Sequence, residues 1–327
     1  MSESSGVARQ YRDFARQASG QSDCFEQWAE AVAGDEDVLA WIAALPEAKQ
    51  QPNLVFAAGR WNGVPAPGPY AGLREALLND RGDIRDTIIT RSTQTNEVGR
   101  LATLVPAMST LAAGQPVALL EVGASAGLCL YPDRYDYDWW PTGRLTGSGG
   151  PTLSCDVVGA MPVPDAPLHV TWRGGIDLNP LDVTDDEAMD WLTTLVWPEQ
   201  EDRRRRLRDA IAMARDDPPV LVRGDLVDKL PQQIDEAAEH GTVVVFHSAV
   251  IAYLNTPDRA TFAAVMNDLV AAGRCRWISN EGPRVLPEVT STAPDAQHES
   301  PTFVLGVDGR AVARTHPHGA AMRWVGP

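Results

Sequence analysis

Apolar residues recur three and four positions apart along the first third of the chain, a spacing typical of amphipathic helices. The segments with this spacing are CFEQWAEAVA (24–33), DVLAWIAAL (37–45), LREALLN (73–79) and VGRLATLVPAMSTLAA (98–113). The stretch GRWNGVPAPGPYAG, rich in glycine and proline, predicts a loop between two helical groups. No segment here has the alternation of a strand. We therefore predict a helical N-terminal region over residues 1–114, acting as a cap on the substrate side.

After residue 115, short apolar runs alternate with amphipathic helical stretches, which is the pattern of a parallel sheet covered on both faces. The predicted strands are 116–122, 169–178, 218–224, 241–250 and 275–282. The predicted helices are 185–197, 201–215, 226–240 and 257–273. The tail 301–317 has an Asp-Gly turn between two apolar runs and predicts a hairpin. Residues 115–327 are thus predicted to form an α/β domain with a Rossmann-like, doubly wound, mostly parallel sheet and an antiparallel C-terminal hairpin.

Composition narrows the classes of partner. The 327 residues include 28 Lys and Arg against 44 Asp and Glu, a formal charge of -16, which repels nucleic-acid phosphates and anionic membranes. The four cysteines form no C-x-x-C pair, and His316 and His318 have no evident third ligand, so we predict no metal. The start has no secretory pattern. We expect a cytoplasmic protein with a small-molecule substrate, without nucleic acid or membrane.

The segment EVGASAG (121–127) allows two interpretations. Starting from Gly123 it fits G-x-S-x-G, the turn that presents a nucleophilic serine, and the chain order supplies a triad of Ser125, Asp225 and His247. Against this serine hydrolase, no HGGG-like segment precedes Ser125. In addition, the carboxylate of Glu121 would repel the negative charge that develops in an oxyanion hole.

In the second interpretation the same segment is a cofactor loop. Gly123 lets the chain leave the strand, Gly127 lets a following helix approach the ligand, and Ala124 and Ser125 lie between them. Glu121 at the strand end is then available to accept hydrogen bonds from the ligand. The alternative is an ordinary tight connection from strand to helix.

Two further acids follow predicted strands. Asp177 ends the second strand, where open parallel sheets commonly supply an acid to a ribose hydroxyl. Asp225 comes just after the third strand, within reach of a base bound at the same edge. Each has an alternative role as a helix cap or turn residue.

These residues resemble the first motif of the class I S-adenosylmethionine-dependent methyltransferase superfamily: an acid, one residue, Gly, three residues, Gly. The resemblance covers roughly residues 115–327 and implies that Glu121, Gly123 and Gly127 hold the cofactor, that Asp177 binds its ribose, and that Asp225 lies beside its adenine. Within that superfamily, QTNEVGR, LEVGASAGL, WPEQ and FHSAVIAYL are similar to the bacterial family known as domain of unknown function 2332. That second likeness extends over nearly the whole chain and implies no established reaction.

The spacing departs from the superfamily pattern. Some fifty residues separate Glu121 from Asp177, where a single crossover helix needs about half as many. We therefore predict an insertion at about 131–168. Its aromatic residues form either a wall for a planar or cationic acceptor or the buried packing of the insertion itself; they are Tyr135, Tyr137, Trp139 and Trp140.

Methyl transfer requires an aligned acceptor and, where the acceptor is protonated, a base. His247 ends an apolar strand and is the candidate base; the alternative is a hydrogen-bonded core histidine. Glu281 follows the fifth strand and is a second catalytic candidate. Asn96 and Arg100 precede the first strand closely enough to contact the cofactor. The alternative for this segment is a helix start capped by Ser92 or Thr95.

The sequence thus predicts an S-adenosylmethionine-dependent methyltransferase that acts on an unidentified small-molecule acceptor. Two alternatives remain open. One is the serine hydrolase, and the other is a protein that binds S-adenosylmethionine or a nucleotide without catalysis.

Overall fold

The computed structural model describes residues 3–94, 96–293 and 303–326. The chain divides into two compact units, residues 1–95 with 185–208, and residues 96–184 with 209–327. The chain passes between the two units at 95/96, 184/185 and 208/209, whereas the predicted boundary is at 114/115. Thr95, a predicted helix cap, lies outside the described residues, as do residues 301 and 302 of the predicted hairpin. In the described ranges no helix is both long and apolar enough to cross a membrane.

The described residues form twelve α-helices and five short 3-10 helices. The α-helices are α1 (Glu3–Ala18), α2 (Asp23–Val32), α3 (Glu36–Ala43), α4 (Pro52–Trp61), α5 (Tyr70–Leu78), α6 (Asp83–Thr90), α7 (Leu101–Ala112), α8 (Asp186–Leu195), α9 (Glu201–Asp216), α10 (Leu226–Ala238), α11 (Thr256–Ala271) and α12 (Pro287–Thr290).

The first unit has an aromatic core. Phe25 and Phe56 are fully buried, with ring centroids 5.1 Å apart in an edge-to-face arrangement. Glu199 accepts a hydrogen bond from the Oγ of Ser22 and another, at 2.8 Å, from the backbone N of Cys24. These bonds explain why residues 185–208 group with the N-terminal helices, since Glu199 satisfies donors at the start of α2.

The described part of the second unit contains an eleven-stranded sheet in the order β3-β2-β4-β11-β10-β9-β8-β7-β1-β5-β6. The strands are β1 (Val117–Val122), β2 (Asp136–Trp140), β3 (Gly143–Leu145), β4 (Thr152–Val158), β5 (Val170–Asp177), β6 (Val220–Arg223), β7 (Thr242–Ser248), β8 (Arg276–Glu281), β9 (Phe303–Val307), β10 (Arg310–Thr315) and β11 (Ala321–Trp324).

The sheet is mixed. Strands β6, β5, β1, β7 and β8 are parallel, whereas β9 is antiparallel to both β8 and β10. The mixed α/β fold and the terminal hairpin are therefore as predicted. Because β10 runs parallel to β8, Thr315 at the end of β10 lies at the same edge as the carboxyl ends of the parallel strands. We call this edge the carboxyl edge.

The predicted insertion contains β2, β3 and β4, which extend the sheet beyond β11. The sequence predicted no strands in this segment. Tyr137 and Trp139 are buried and stacked with centroids 5.1 Å apart, and Nε1 of Trp139 donates to the carbonyl of Ala102 on α7 at 2.6 Å. Tyr135 is buried as well, whereas Trp140 is 67% exposed. Three of the four aromatic residues are thus core side chains.

Alternation along the strands gives the sheet two distinct faces. Leu120 and Val122 pack with α10 and α11 through side chains such as Ile234 and Phe262. We call this side the α10 face. Glu121 points to the opposite side, the α7 face, because neighbouring strand residues alternate.

The predicted helix after Gly127 is wrong. The chain forms only a 3-10 helix at Leu128–Leu130 and another at Pro132–Arg134 before β2 begins. Pro132 and the aromatic residues of β2 disfavour a continuous α-helix here. The turn after β1 therefore has no α-helix N-terminus to bind an anion.

Candidate functional site

Polar residues from separate parts of the second unit come together at the carboxyl edge. Parallel strands bring their carboxyl ends to one edge, and the segment before α7 adds further side chains. The residues placed in this region are Asn96, Glu97, Arg100, Glu121, Ser125, Asp177, Asp225, His247 and Glu281.

The two glycines of the loop are required by packing within the protein. Gly123 has φ +72°, and a Cβ there would lie 2.4 Å from Cγ2 of Val250. Gly127 has φ +69°, and a Cβ there would lie 2.8 Å from Cγ of Pro219. Both positions exclude other residues through backbone angle and contact. The resemblance implies that Gly123 holds the cofactor, and Val250 occupies the space beside it.

Asp177 and Asn96 hold the turn between the glycines. The backbone N of Ser125 donates to Oδ2 of Asp177 at 2.8 Å, and the backbone N of Asn179 donates to Oδ1 at 2.7 Å. Nδ2 of Asn96 donates to Oγ of Ser125 at 2.9 Å, while Oδ1 of Asn96 accepts from the backbone N of Ala126 at 3.3 Å. These bonds stabilise Ser125 at φ 51°, an uncommon angle for a residue other than glycine.

Glu121 is a buried acid at the end of the central strand. It is 9% exposed, and its Oε2 has no hydrogen-bond partner among the described residues. Burial raises the pKa of Glu121 well above its ordinary value; the charge of Arg100 opposes this shift and that of Asp177 adds to it. A buried acceptor of this kind is costly unless a ligand or water supplies a donor.

Arg100 connects the segment before α7 to the edge of the sheet. Its Nε donates to the carbonyl of Pro317 at 2.8 Å, and its Nη1 donates to the carbonyl of Ser248 at 2.9 Å. Arg100 is buried, so these carbonyls replace water around the guanidinium. Arg100 is therefore held in place beside Glu121 by backbone contacts, and its charge favours the ionised form of that acid.

His247 uses both ring nitrogens within the protein. Its Nδ1 lies 2.7 Å from Oε1 of Glu281, and the indole N–H of Trp277 donates to its Nε2 at 3.1 Å. The same Oε1 accepts from the backbone N of Val250 at 3.0 Å and of Ile251 at 3.1 Å. Both ring nitrogens of His247 are therefore engaged within the protein, and neither is available to a substrate. His247 thus helps to fix the orientation of the Glu281 carboxylate.

The three residues of the hydrolase alternative bond to other groups. Ser125 pairs with Asn96, and His247 pairs with Glu281 and Trp277. Asp225 is the exposed N-cap of α10 and accepts from the backbone N of Val227 at 2.9 Å. No hydrogen bond joins any two members of this triad in the described chain. The same capping role accounts for Asp225 without a cofactor.

Sequence reasoning missed polar residues that later strands bring to this region. Asn280 is fully buried; its Nδ2 donates to Oγ of Ser248 at 3.0 Å, and its Oδ1 accepts from Oγ1 of Thr315 at 2.7 Å. Arg314, next to Thr315 on β10, was missed as well. Both residues lie in short polar runs at the ends of their strands, where the sequence does not distinguish a polar core position from an exposed one.

The family described as "Uncharacterized protein conserved in bacteria (DUF2332)" matches residues 8–324. The chain belongs to this family, as the resemblance in its motifs predicted. No curated protein matches the chain.

Proposed function

We propose that this member of the DUF2332 family binds S-adenosylmethionine at the carboxyl edge and transfers its methyl group to a small-molecule acceptor. The observation that carries the proposal is the buried Oε2 of Glu121 at the end of β1. A carboxylate oxygen in this position is suited to a cationic ligand or to a hydroxyl donor. The cofactor offers both, since it has a sulfonium, an ammonium and two ribose hydroxyls.

The order of the parallel strands supports this location. Numbered along the chain, β1, β5, β6, β7 and β8 lie in the spatial order 3-2-1-4-5. This order is found in doubly wound nucleotide-binding folds, whose ligands bind at the carboxyl ends where the order reverses. The reversal lies between β1 and β7, and Glu121 pairs with Phe246 of β7 there.

The residues fit the charge of the cofactor and depart from the superfamily motif in two places. Glu121 and Asp177 provide acids at the ends of two adjacent strands, as the resemblance to the superfamily implies. Val250 occupies the space beside Gly123, and Asp225 caps a helix. The methyltransferase resemblance therefore rests on the two acids and the strand order, and less on the glycine loop.

The bound cofactor would supply an electrophilic methyl group. The residues of this chain would bind and orient the reactants: Glu121 receives the positive charge, and Asp177 maintains the turn that follows β1. Glu281 is our candidate to accept the proton of the acceptor, because His247 and two backbone N–H groups hold its other oxygen. In this scheme His247 acts through Glu281.

Calorimetry with S-adenosylmethionine and S-adenosylhomocysteine tests the proposal. We expect micromolar binding of S-adenosylmethionine, weakened about 10-fold or more in Glu121→Gln because an ionic hydrogen bond is lost. Glu239→Gln makes the same change at an exposed residue. It is the control and should not change binding of S-adenosylmethionine. S-adenosylhomocysteine has no sulfonium charge and should respond less to Glu121→Gln. Binding of S-adenosylmethionine no tighter than millimolar would refute the proposal.

The hydrogen bonds of His247 favour one second candidate, a protein that binds the cofactor without transferring its methyl group. This candidate predicts tight binding of S-adenosylmethionine without formation of S-adenosylhomocysteine in the presence of any acceptor tested. Slower turnover in Glu281→Gln with unchanged cofactor binding would instead support methyl transfer.

A further inference from the structure

Arg314 is a buried cation that the proposed function does not use. It is 5% exposed, and neither Nη1 nor Nη2 has a hydrogen-bond partner within the described ranges. A buried guanidinium without a partner loses its hydration and gains nothing in return, so such groups require an explanation. A bound anion provides one.

A second group with an unused atom lies on the same face of the sheet. Glu281 on β8 pairs with Val304 on β9, and Val304 pairs with Arg314 on β10. Residues paired in this way point to one face, so Glu281 and Arg314 share the α10 face with only Val304 between them. Their backbones are roughly 10 Å apart, which is twice the spacing between strands.

Glu281 is 2% exposed and uses only one of its oxygens in the structure. Its Oε1 accepts from His247, Val250 and Ile251, whereas no hydrogen bond from the described residues reaches Oε2. Within the same part of the chain, no ion pair joins Glu281 to Arg314. The α10 face thus has a cation with two donor groups, Arg314 on β10, and an anionic acceptor, Glu281 on β8. Val304 on β9 lies between them.

We propose that Arg314 and Glu281 bind a small zwitterion of the α-amino acid class. The two Nη groups of an arginine match the two oxygens of a carboxylate, and a carboxylate oxygen such as Oε2 accepts from an ammonium group. A ligand with both groups satisfies both protein atoms, whereas a simple anion leaves Oε2 of Glu281 without a donor. The short distance between the strands suits a small molecule.

This binding site stands by itself. It also names the class of methyl acceptor, and in that respect it rests on the proposed function, because Glu281 is the candidate base and ends β8 at the carboxyl edge, where the two faces of the sheet meet. Binding of an amino acid in the absence of S-adenosylmethionine tests the site, and binding of S-adenosylmethionine tests the function. The two results can therefore fail separately.

The experiment is calorimetry of the full chain with each of the common L-α-amino acids, with acetate and methylamine as partial ligands. We expect at least one amino acid to bind in the micromolar range. Its methyl ester should bind at least 10-fold more weakly, because the ester has no negative charge to pair with Arg314 and keeps only a neutral carbonyl acceptor. Arg314→Met should weaken binding by a similar factor. Arg310→Met, an exposed arginine on the same strand, is the control and should leave affinity unchanged.

One further variant and one further measurement make the result decisive. Glu281→Gln keeps an oxygen for the donors at Oε1, so it should weaken binding of the amino acid while leaving acetate binding unchanged. Arg314→Met should not lower the melting temperature of the ligand-free protein, because an unpaired buried charge is removed. Loss of folding in Arg314→Met, equal affinity in that variant and the wild type, or no amino acid bound more tightly than millimolar would each overturn the proposal.

Discussion

The indole N–H of Trp277 donates to Nε2 of His247 at 3.1 Å. Because an indole nitrogen only donates, Nε2 accepts, and the ring proton lies on Nδ1, where it faces Glu281 at 2.7 Å. The histidine tautomer is therefore determined by a tryptophan on the neighbouring strand. This relationship gives His247 the structural role of a hydrogen-bonded core histidine, and the sequence did not identify its two partners.

We predict that His247→Phe lowers the free energy of unfolding by about 2–4 kcal/mol, because Glu281 loses a donor while it stays buried. Urea denaturation measures this change. His240→Phe is the control; His240 is exposed and stacks on Trp172, so its replacement should change stability by less than about 0.5 kcal/mol. Nitrogen NMR of the wild type should show the Nδ1–H tautomer for His247, and an Nε2–H signal would contradict the arrangement.

A comparison of Gly123 with Gly114 separates the free-energy cost of a positive φ from that of a steric contact. Both have positive φ, +72° and +78°, but a Cβ at Gly114 meets nothing within 4 Å. We predict that Gly114→Ala lowers the free energy of unfolding by about 1 kcal/mol and Gly123→Ala by about 2–4 kcal/mol, because the second also presses on Val250. Denaturation in urea gives both values.

In a Val250→Ala background the difference between these two glycine variants should shrink, since most of the contacting atoms are removed. Equal costs for Gly114→Ala and Gly123→Ala in the wild-type background would show that Val250 does not occupy the space beside the loop.

Glu121 should make stability depend on pH. Its pKa is raised in the folded protein, so the folded state binds the proton more tightly than the unfolded chain does. At pH values below the ordinary pKa of a glutamate, Glu121 therefore does not lower the free energy of unfolding. As pH rises from that value through the raised pKa, the free energy of unfolding falls. Glu121→Gln should abolish this loss. We expect the variant to gain stability relative to the wild type as pH increases, by about 1–3 kcal/mol at pH 8.

Urea denaturation of both proteins between pH 5 and pH 8 measures the difference. Glu239→Gln controls for the loss of a charge, and its difference from the wild type should stay constant across this range. A Glu121→Gln variant that is less stable than the wild type at the highest pH would mean that the carboxylate is paired in the protein.

Local patterns in the sequence predicted much of the second unit. The apolar runs that became β1, β5, β6, β7 and β8 were identified because buried parallel strands are nearly continuous in apolar residues. The acids Glu121, Asp177 and Glu281 were found because they end such strands. In contrast, β2 and β4 were missed. The aromatic residues of β2 and the glycines between the two strands suggest an irregular insertion as readily as an edge of the sheet.

The structure also changed the roles of residues that the sequence had correctly brought together. Gly123 was predicted to hold the cofactor, whereas the space beside it contains Val250. For His247 the sequence left open a base and a hydrogen-bonded core residue, and its ring is held by Glu281 and Trp277 as in the second interpretation. Each of these partners comes from a different strand or loop, so spacing along the chain contains no record of the contact.

By itself, the sequence determined the alternation of strands and helices, the acids at the strand ends and the family, because these depend on residues close together in the chain. The tertiary structure alone decided which of these polar groups are satisfied inside the protein and which are not. Strand register, which pairs residues as far apart as Glu281, Val304 and Arg314, places two buried charges on one face of the sheet. Such pairings are set by packing of the whole sheet, and no local pattern specifies them.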